Sequence, residues 1–436
     1  MKPATSKSLL PYQKEGIEFM KNKRVTLLGD EMGLGKTVQA IGLINLKQYK
    51  RVLIICPASL KYNWDKELRE WLTHDINHKV INKSKDTFDS DSIIINYDLI
   101  KGDVQSRLRD RLFDLVIIDE CHYLKNPKSI RVRAILGDTL RTRKKEVLSL
   151  CSTWFITQIV LLTGTPVPNR PIELFPILKA LSPETIGNKT YYEYAERYCS
   201  GYRGKWGYDV SGSSNLSELN DNLKETVMIR REKKDVLPEL PNKRHQVVTV
   251  GLTKENLISE YDQYHIEEYT QAIDVTTLSE LRKNITLEKL DSCINYIKTL
   301  LDSGVEKLVI FAHHKEVIST LSNSLHKSNP LTITGSTPIP KRAQAVTAFQ
   351  NNEKHKVIIG NIQAMGTGLT LTKSSVVVFV EFSWVPGENE QAIDRCHRIG
   401  QEKEVLVQFL VYSGTVESHM LQLLNEKHKN IKEVLK

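Results

Sequence analysis

The sequence predicts an α/β chain with two parallel-sheet domains in tandem, the sheets flanked by helices and extended by small helical protrusions. Three observations carry that expectation. Val25-Thr26-Leu27-Leu28 stops at a glycine-bearing loop ending in Gly35-Lys36-Thr37, and an apolar helical face (Val38, Ala40, Ile41, Leu43, Ile44, Leu46) follows. Continuous apolar runs ending in polar loops recur in both halves, as buried parallel strands do. A charged, proline-punctuated stretch from Arg230 to Pro241 reads as the passage between the halves.

Taken in order, Leu9–Phe19 opens with Pro11 and carries Gln13. An amide that donates and accepts together suits an adenine edge, with a solvated surface glutamine as the alternative. The next loop, Asp30-Glu31-Met32-Gly33-Leu34-Gly35, aims backbone N–H groups and a helix N-terminus at phosphates. Lys36 would reach the β- and γ-phosphates of a nucleoside triphosphate, and the Thr37 hydroxyl would ligate Mg²⁺. Asp30 stands where the strict phosphate-loop pattern has glycine. A glycine-rich turn before an ordinary helix is the bland alternative.

Arg51–Cys56 reads as a buried strand ended by Pro57, and Ser59 behind it fits either a nucleic-acid phosphate or a helix cap. Ser92–Tyr97 is a similar strand with Asn96 at its polar exit. Phe113–Ile118 then delivers two adjacent carboxylates. Asp119 would hold Mg²⁺ through water, and Glu120 would orient and deprotonate the attacking water. His122 reads as a relay to the turn Thr163-Gly164-Thr165, which could sense the γ-phosphate, or else as a satisfied polar contact. The basic stretch between Ser129 and Leu150 reads as a solvated helix face rather than a DNA patch.

In the second half, Tyr191, Tyr194, Ala195 and Tyr198 recur at helical spacing and predict a small core. Tyr202, Arg203, Lys205, Trp206 and Tyr208 fit a DNA-facing loop or a structural one equally. Asn215 with Glu218 resembles a capping box. Residues 252–300 read as helix-rich, and Lys307–Ala312, Lys356–Gly360 and Ser375–Val380 as core strands. The N–H groups of Gly366-Thr367-Gly368-Leu369-Thr370 suit a phosphate of a tracked strand. Gln391, Asp394/Arg395 and Arg398 fall at i, i+3/i+4 and i+7, one face of a helix, with Arg395 and Arg398 as paired arginine fingers or, alternatively, ion-paired surface groups.

Lys plus Arg (61) exceeds Asp plus Glu (52), a net charge of +9 compatible with a polyanionic partner. The six scattered cysteines form no C-x-x-C pair and read as reduced thiols, with neither zinc site nor disulfide frame. No apolar run approaches a membrane span, and no signal core opens the chain, so an intracellular protein without membrane association is expected.

The order of motifs L-P-Y-Q, D-E-M-G-L-G-K-T, D-E-C-H, L-L-T-G-T-P-V-P-N, M-G-T-G-L-T-L-T and Q-A-I-D-R-C-H-R-I-G-Q resembles superfamily 2 ATPases of the SNF2 type, the double-stranded DNA translocases. Arg197-Tyr198-Cys199, Trp206–Leu216 and Ile229-Arg230-Arg231 are most similar to the annealing-helicase (HARP-type) branch. The interval before T-G-T-P looks longer than the family pattern, and the basic 138–155 region reads as an insertion.

The resemblance implies two RecA-like domains sharing one ATP, with Mg²⁺ as cofactor. Residues 1–170 form the first motor domain, 171–228 its protrusion, 229–300 a linker with a second protrusion, and 301–436 the second motor domain. Gln13, Asp30–Thr37, Asp119, Gly366, Arg395 and Arg398 are assigned to nucleotide, with Lys36, Glu120, Arg395 and Arg398 catalytic. Pro57, Ser59, Asn96, Thr163, Gly164, Gly366, Thr367, Gly368 and Thr370 are assigned to nucleic acid, and His122, Thr163, Thr165 and Gln391 to coupling. The expected function is sequence-independent translocation on double-stranded or branched DNA, remodelling DNA structures or protein–DNA complexes. A strand-separating DNA or RNA helicase and an ATPase-inactive nucleic-acid scaffold are the alternatives. The chain reads as a minimal, monomeric motor of a prokaryote or virus, acting in the nucleus if the source is eukaryotic.

Overall fold

The computed structural model describes residues 8–140, 150–151, 156–204, 207–251, 275–366, 368–412 and 415–435. It divides into a first unit, residues 1–237 with 429–436, and a second, residues 238–428. The first unit holds strands β1 (Val25–Leu28), β2 (Val52–Cys56), β3 (His78–Val80), β4 (Ser92–Asn96), β5 (Leu115–Asp119) and β6 (Gln158–Leu162). A hairpin, β7 (Tyr202–Gly204) with β8 (Gly207–Asp209), and a short strand β9 (Met228–Ile229) complete it. Seven strands pair in the order β3-β4-β2-β5-β6-β1-β9, parallel throughout.

Alternation along each strand explains the two packed faces. Leu53 and Ile55 join Ile93, Ile95, Val116 and Ile118 in one apolar layer. Val52, Ile54 and Cys56 join Ile94, Leu115 and Ile117 in the other. Successive strand side chains point to opposite sides, so a strand buried on both reads as a continuous apolar run. Because the strands are parallel, their carboxyl ends share one edge, where β1, β2, β4, β5 and β6 release the loops at Gly29, Pro57, Tyr97, Glu120 and Thr163.

The second unit contains β10 (Lys243–Thr249), β11 (Leu308–Ala312), β12 (Leu331–Ile333), β13 (Val357–Asn361), β14 (Val376–Phe379) and β15 (Val405–Val411). They form a six-stranded parallel sheet in the order β10-β15-β14-β11-β13-β12. Val309, Phe311, Ile358, Val377 and Phe379 face one layer, and Leu308, Ile310, Val357, Ile359 and Val378 the other.

Several local expectations change. Within 229–300, the stretch expected as linker and second protrusion, Ile229 belongs to the first sheet, Lys243–Thr249 is an edge strand of the second, and Val275–Asp302 is one helix. The chain's end is not wholly part of the second unit, since Val434 and Leu435 are buried in the first unit's core. Asn215 makes no side-chain cap; its amide donates to the Arg197 carbonyl at 2.7 Å, while Glu218 pairs with Arg197. Tyr194, Ala195 and Tyr198 are buried as a small core requires. Most of the 138–155 insertion, together with Lys205, Trp206 and Thr367, lies outside the described residues.

All six cysteines are free and buried. Among the described residues, no helix is long and apolar enough to cross a membrane.

Candidate functional site

At the first unit's carboxyl edge the chain leaves β1 and turns through Gly33 and Gly35, whose φ values of 84° and 75° are left-handed and favour glycine. Helix α1 (Lys36–Lys47) starts there. The Lys36 ammonium donates to the carbonyls of Asp30 and Glu31 at 2.7 and 3.3 Å. Burial lowers its pKa, opposed by the charges of Glu120, Asp30 and Asp119. Thr37 is half-buried in the first helical turn.

Gln13 is buried against this loop. Its amide donates to the Leu34 carbonyl at 3.3 Å and accepts from the Leu10 N–H at 3.0 Å, so a polar site on each of its ends is already used.

Asp30 explains its departure from the glycine pattern. Its side chain is fully buried. Arg231 Nε and Nη2 donate to them at 2.9 and 2.6 Å, and Gln39 adds a bond at 2.9 Å. The carboxylate is an anchor for a two-pronged guanidinium.

β5 delivers Asp119 and Glu120 beside the loop. The Trp64 indole N–H donates to Asp119 Oδ2 at 2.8 Å, and the Glu120 N–H to Asp119 Oδ1 at 2.9 Å. Burial first, then the Glu120 charge, pushes the Asp119 carboxyl up to about 7. Glu120 adopts a left-handed φ of 52°. The Tyr97 hydroxyl secures that backbone, donating to the carbonyls of Asp119 and Glu120 at 2.6 and 3.3 Å. The Glu120 carboxylate lies 3.3 Å from His122 Nδ1 and 3.5 Å from the Thr163 hydroxyl, which is itself 3.1 Å from His122 Nδ1. Thr165 N–H donates to the same hydroxyl at 3.1 Å. His122, Thr163 and Thr165 are thus hydrogen-bonded to one another beside Glu120.

Thr163 and Gly164, two of the residues expected at nucleic acid, sit beside Glu120 and the loop before Lys36. Thr163 is fully buried among those hydrogen bonds. A Cβ added to Gly164 would lie 2.3 Å from Met32 Cγ and 3.2 Å from Lys36 Nζ, so Gly164 closes on the nucleotide loop. Pro57, Ser59 and Asn96 stay at the sheet edge, Ser59 half-buried in a turn and Asn96 almost fully buried.

In the second unit, helix α2 (Pro386–Ile393) ends before the arginines. Past Ile393 the bonds Arg395 N–H to Ala392 O and Cys396 N–H to Ile393 O tighten the chain, while Arg395 Nε still donates to the Gln391 carbonyl at 3.0 Å. Spacing alone does not see that break. The Arg395 backbone carbonyl accepts from Leu371 N–H at 2.8 Å, and Arg398 Nη1 donates to Thr370 Oγ1 at 3.0 Å. The arginine turn thus rests on Leu369, Thr370 and Leu371, which follow Gly368, left-handed at φ 72°.

Beside it, the exits of β11, β12 and β13 enclose a cavity of about 310 Å³ lined by His313, Lys315, Arg342 and Gln363 among others. None of these four is singled out by the sequence, where Lys315, Arg342 and Gln363 are ordinary polar residues of three separate helices and His313 follows a strand. Glu381 fixes the β11 exit, accepting from the N–H groups of His313 and His314 at 2.7 and 2.9 Å and lying 2.5 Å from His314 Nδ1. Burial raises its pKa, but the bonds from His314 and His313 outweigh burial and hold it at about 2, below the ordinary 4.5.

A depressed carboxyl stabilises the fold fully above its unfolded pKa and loses that contribution as pH falls through the folded value. The second unit should therefore lose about 3 kcal/mol between pH 4.5 and about 2. Denaturant titrations across that window check it; Glu381→Gln should flatten the acid limb, and an unchanged limb would assign the acid sensitivity elsewhere.

Comparison with known proteins places these motifs. The SNF2-related domain matches residues 12–303 and the helicase conserved C-terminal domain residues 288–400. The chain is 34% identical over 446 residues to the DNA annealing helicase and endonuclease ZRANB3 of Bos taurus, covering 96% of this chain and 40% of that protein. It is 34% identical over 438 residues to the SWI/SNF-related matrix-associated actin-dependent regulator of chromatin subfamily A-like protein 1 of Xenopus tropicalis, covering 97% and 44%. The chain thus spans less than half the length of these curated relatives. The Sulfolobus solfataricus SWI2/SNF2 ATPase core in complex with dsDNA aligns with 100% of this chain and 94% of that one, at 25% identity and TM-score 0.46.

Proposed function

We propose that this chain, which belongs to the SNF2-related family of ATP hydrolases, couples ATP turnover to stepping along duplex DNA and so remodels DNA structures or protein–DNA complexes, as an annealing helicase does. The observation carrying this reading is the convergence of Lys36, Asp119, Glu120 and the Thr163 relay at one sheet edge.

Lys36 binds the β- and γ-phosphates once its bonds to Asp30 and Glu31 give way. Glu120 takes the proton of the attacking water, and His122 with Thr163 holds the carboxylate for that transfer. Arg395 and Arg398 supply positive charge as the terminal phosphoryl group leaves.

The donor set fits Mg²⁺. Thr37 and Asp119 offer hard oxygens, and the described residues hold no cluster of three or more metal-binding side chains. That suits an ion that keeps its waters and binds substrate phosphates. Thr37 and Asp119 would hold it, and its charge would offset that of the phosphates.

DNA phosphates are gripped at the first edge by Ser59 and Asn96, and at the second by the Gly366–Thr370 segment with His313, Lys315 and Gln363. Phosphate contacts carry no base code, so binding is sequence-independent and weakens with salt.

A strand-separating helicase is the second reading, favoured by the β7–β8 hairpin, where Tyr202 is 60% exposed, and by the neighbouring Tyr192, 58% exposed. ATPase assays with linear duplex, forked DNA, single-stranded DNA and RNA separate the readings. Duplex and forked DNA should stimulate turnover, and raising salt should abolish the stimulation. Stimulation by RNA alone would sink the translocase.

A further inference from the structure

The passage between the units is fastened at both ends, and each end is held by the machinery just described. At the first end, β9 pairs with β1, and the bonds continue along the nucleotide loop: Gly29 N–H donates to Ile229 O at 2.8 Å and Glu31 N–H to Arg231 O at 2.9 Å. Arg231 grips Asp30 and Gln39 and donates to the Tyr12 carbonyl. Arg230 donates to the Gly29 carbonyl at 2.6 Å and the Gly164 carbonyl at 3.4 Å. The Lys233 N–H donates to Glu31 Oε2 at 2.7 Å.

At the other end, within the second unit, the Pro241 carbonyl lies 2.7 Å from His397 Nε2. Lys243 pairs with Glu390 at 2.5 Å and Asp394 at 3.7 Å. Those three partners flank Arg395 and Arg398. Only residues 234–240 separate the two attachments.

We propose that this passage is a two-ended strap that couples the nucleotide loop to the arginine turn, with Arg231 and Lys243 as positioning residues at its ends. The idea rests on the reading that Arg395 and Arg398 serve ATP turnover. A flexible linker needs neither attachment. Here, by contrast, a buried carboxylate replaces the usual loop glycine and receives a bidentate arginine from a segment 201 residues away. A change in the loop as Lys36 exchanges carbonyls for phosphates is felt by Glu31 and Asp30, and through them by Arg231 and Lys233. The strap carries it to Pro241 and Lys243, and so to the turn bearing the arginines.

The test is a double-mutant cycle in the full chain. Arg231→Lys keeps the charge but loses the planar fork, and Lys243→Met removes the ion pairs at the other end. Each single change should lower maximal DNA-stimulated turnover about tenfold while the dissociation constant for a fluorescent ADP analogue moves less than about threefold, a loss felt in turnover rather than binding. If both ends act through one strap, the double variant should fall about tenfold as well, because residues acting as a unit are not additive. A product near a hundredfold makes the ends independent and overturns the strap, as does unchanged turnover in either single variant. Thermal unfolding of each variant is measured alongside, and parallel loss of melting temperature and nucleotide affinity likewise overturns it. Wild-type protein that no nucleic acid stimulates would sink the translocase reading instead; the cycle, run on turnover without DNA, would still decide the strap.

Discussion

Replacing Glu120 by glutamine is expected to cut DNA-stimulated ATP turnover about 10²- to 10⁴-fold, the range for losing a positioned general base, with nucleotide affinity held within a few-fold. The substitution keeps the side chain's size and one carbonyl oxygen, so the contact with the Thr163 hydroxyl at 3.5 Å survives. What disappears is basicity. The surroundings are rigid: the residue is 8% exposed, its φ of 52° is left-handed, and the Tyr97 hydroxyl secures the carbonyls on either side of that peptide. Such a conformation costs a non-glycine residue about 1–3 kcal/mol and persists only where the surroundings hold it. Steady-state ATPase assays with nucleotide binding measured separately check the split. Undiminished turnover would remove Glu120 from the role of base.

Arg398→Ala is expected to lower turnover about 10³- to 10⁵-fold, the contribution of an arginine finger to the transition state, while leaving ATP binding in place. The guanidinium donates to Thr370 at 3.0 Å and approaches the Leu369 carbonyl at 3.5 Å, so the substitution also releases the glycine-rich segment. Arg398→Lys separates the two effects. A lysine retains one donor for Thr370 and a single charge, but not the planar fork. It should recover melting temperature and only a small part of the turnover. Equal loss of ATP binding and of thermal stability in both variants would assign Arg398 to the fold.

How much of this was legible in the sequence depends on burial and on distance along the chain. Strands β2, β4, β5, β11 and β13 announce themselves as continuous apolar runs because both faces are covered. β10 does not: as an edge strand it reads Lys243-Arg244-His245-Gln246-Val247-Val248-Thr249 and is largely exposed. β9 is two residues long, too short for any period to show.

Lys36, Thr37, Asp119 and Glu120 stand out as candidates because phosphate chemistry places its groups at contiguous positions of a loop or a strand end. In the sequence, Trp64 is one more apolar residue, on the helix Lys61–Trp71. A buried indole N–H needs an acceptor, yet nothing local says that the acceptor is Asp119, 55 residues on. The Arg231–Asp30 pair was hidden for the same reason, and its only local trace was the aspartate out of place in a glycine loop.

That pair also sets an order of events during synthesis. β1 and its loop leave the ribosome early, but the neighbour on one side of β1 begins at Gln158 and the neighbour on the other at Met228. Pairings so distant along the chain form slowly and only after both partners exist. Until Arg231 has emerged, Asp30 is a carboxylate without its guanidinium, and the loop ahead of Lys36 lacks the edge that shapes it. A nascent chain halted before that arginine should therefore carry the whole G-K-T sequence and still fail to retain ATP.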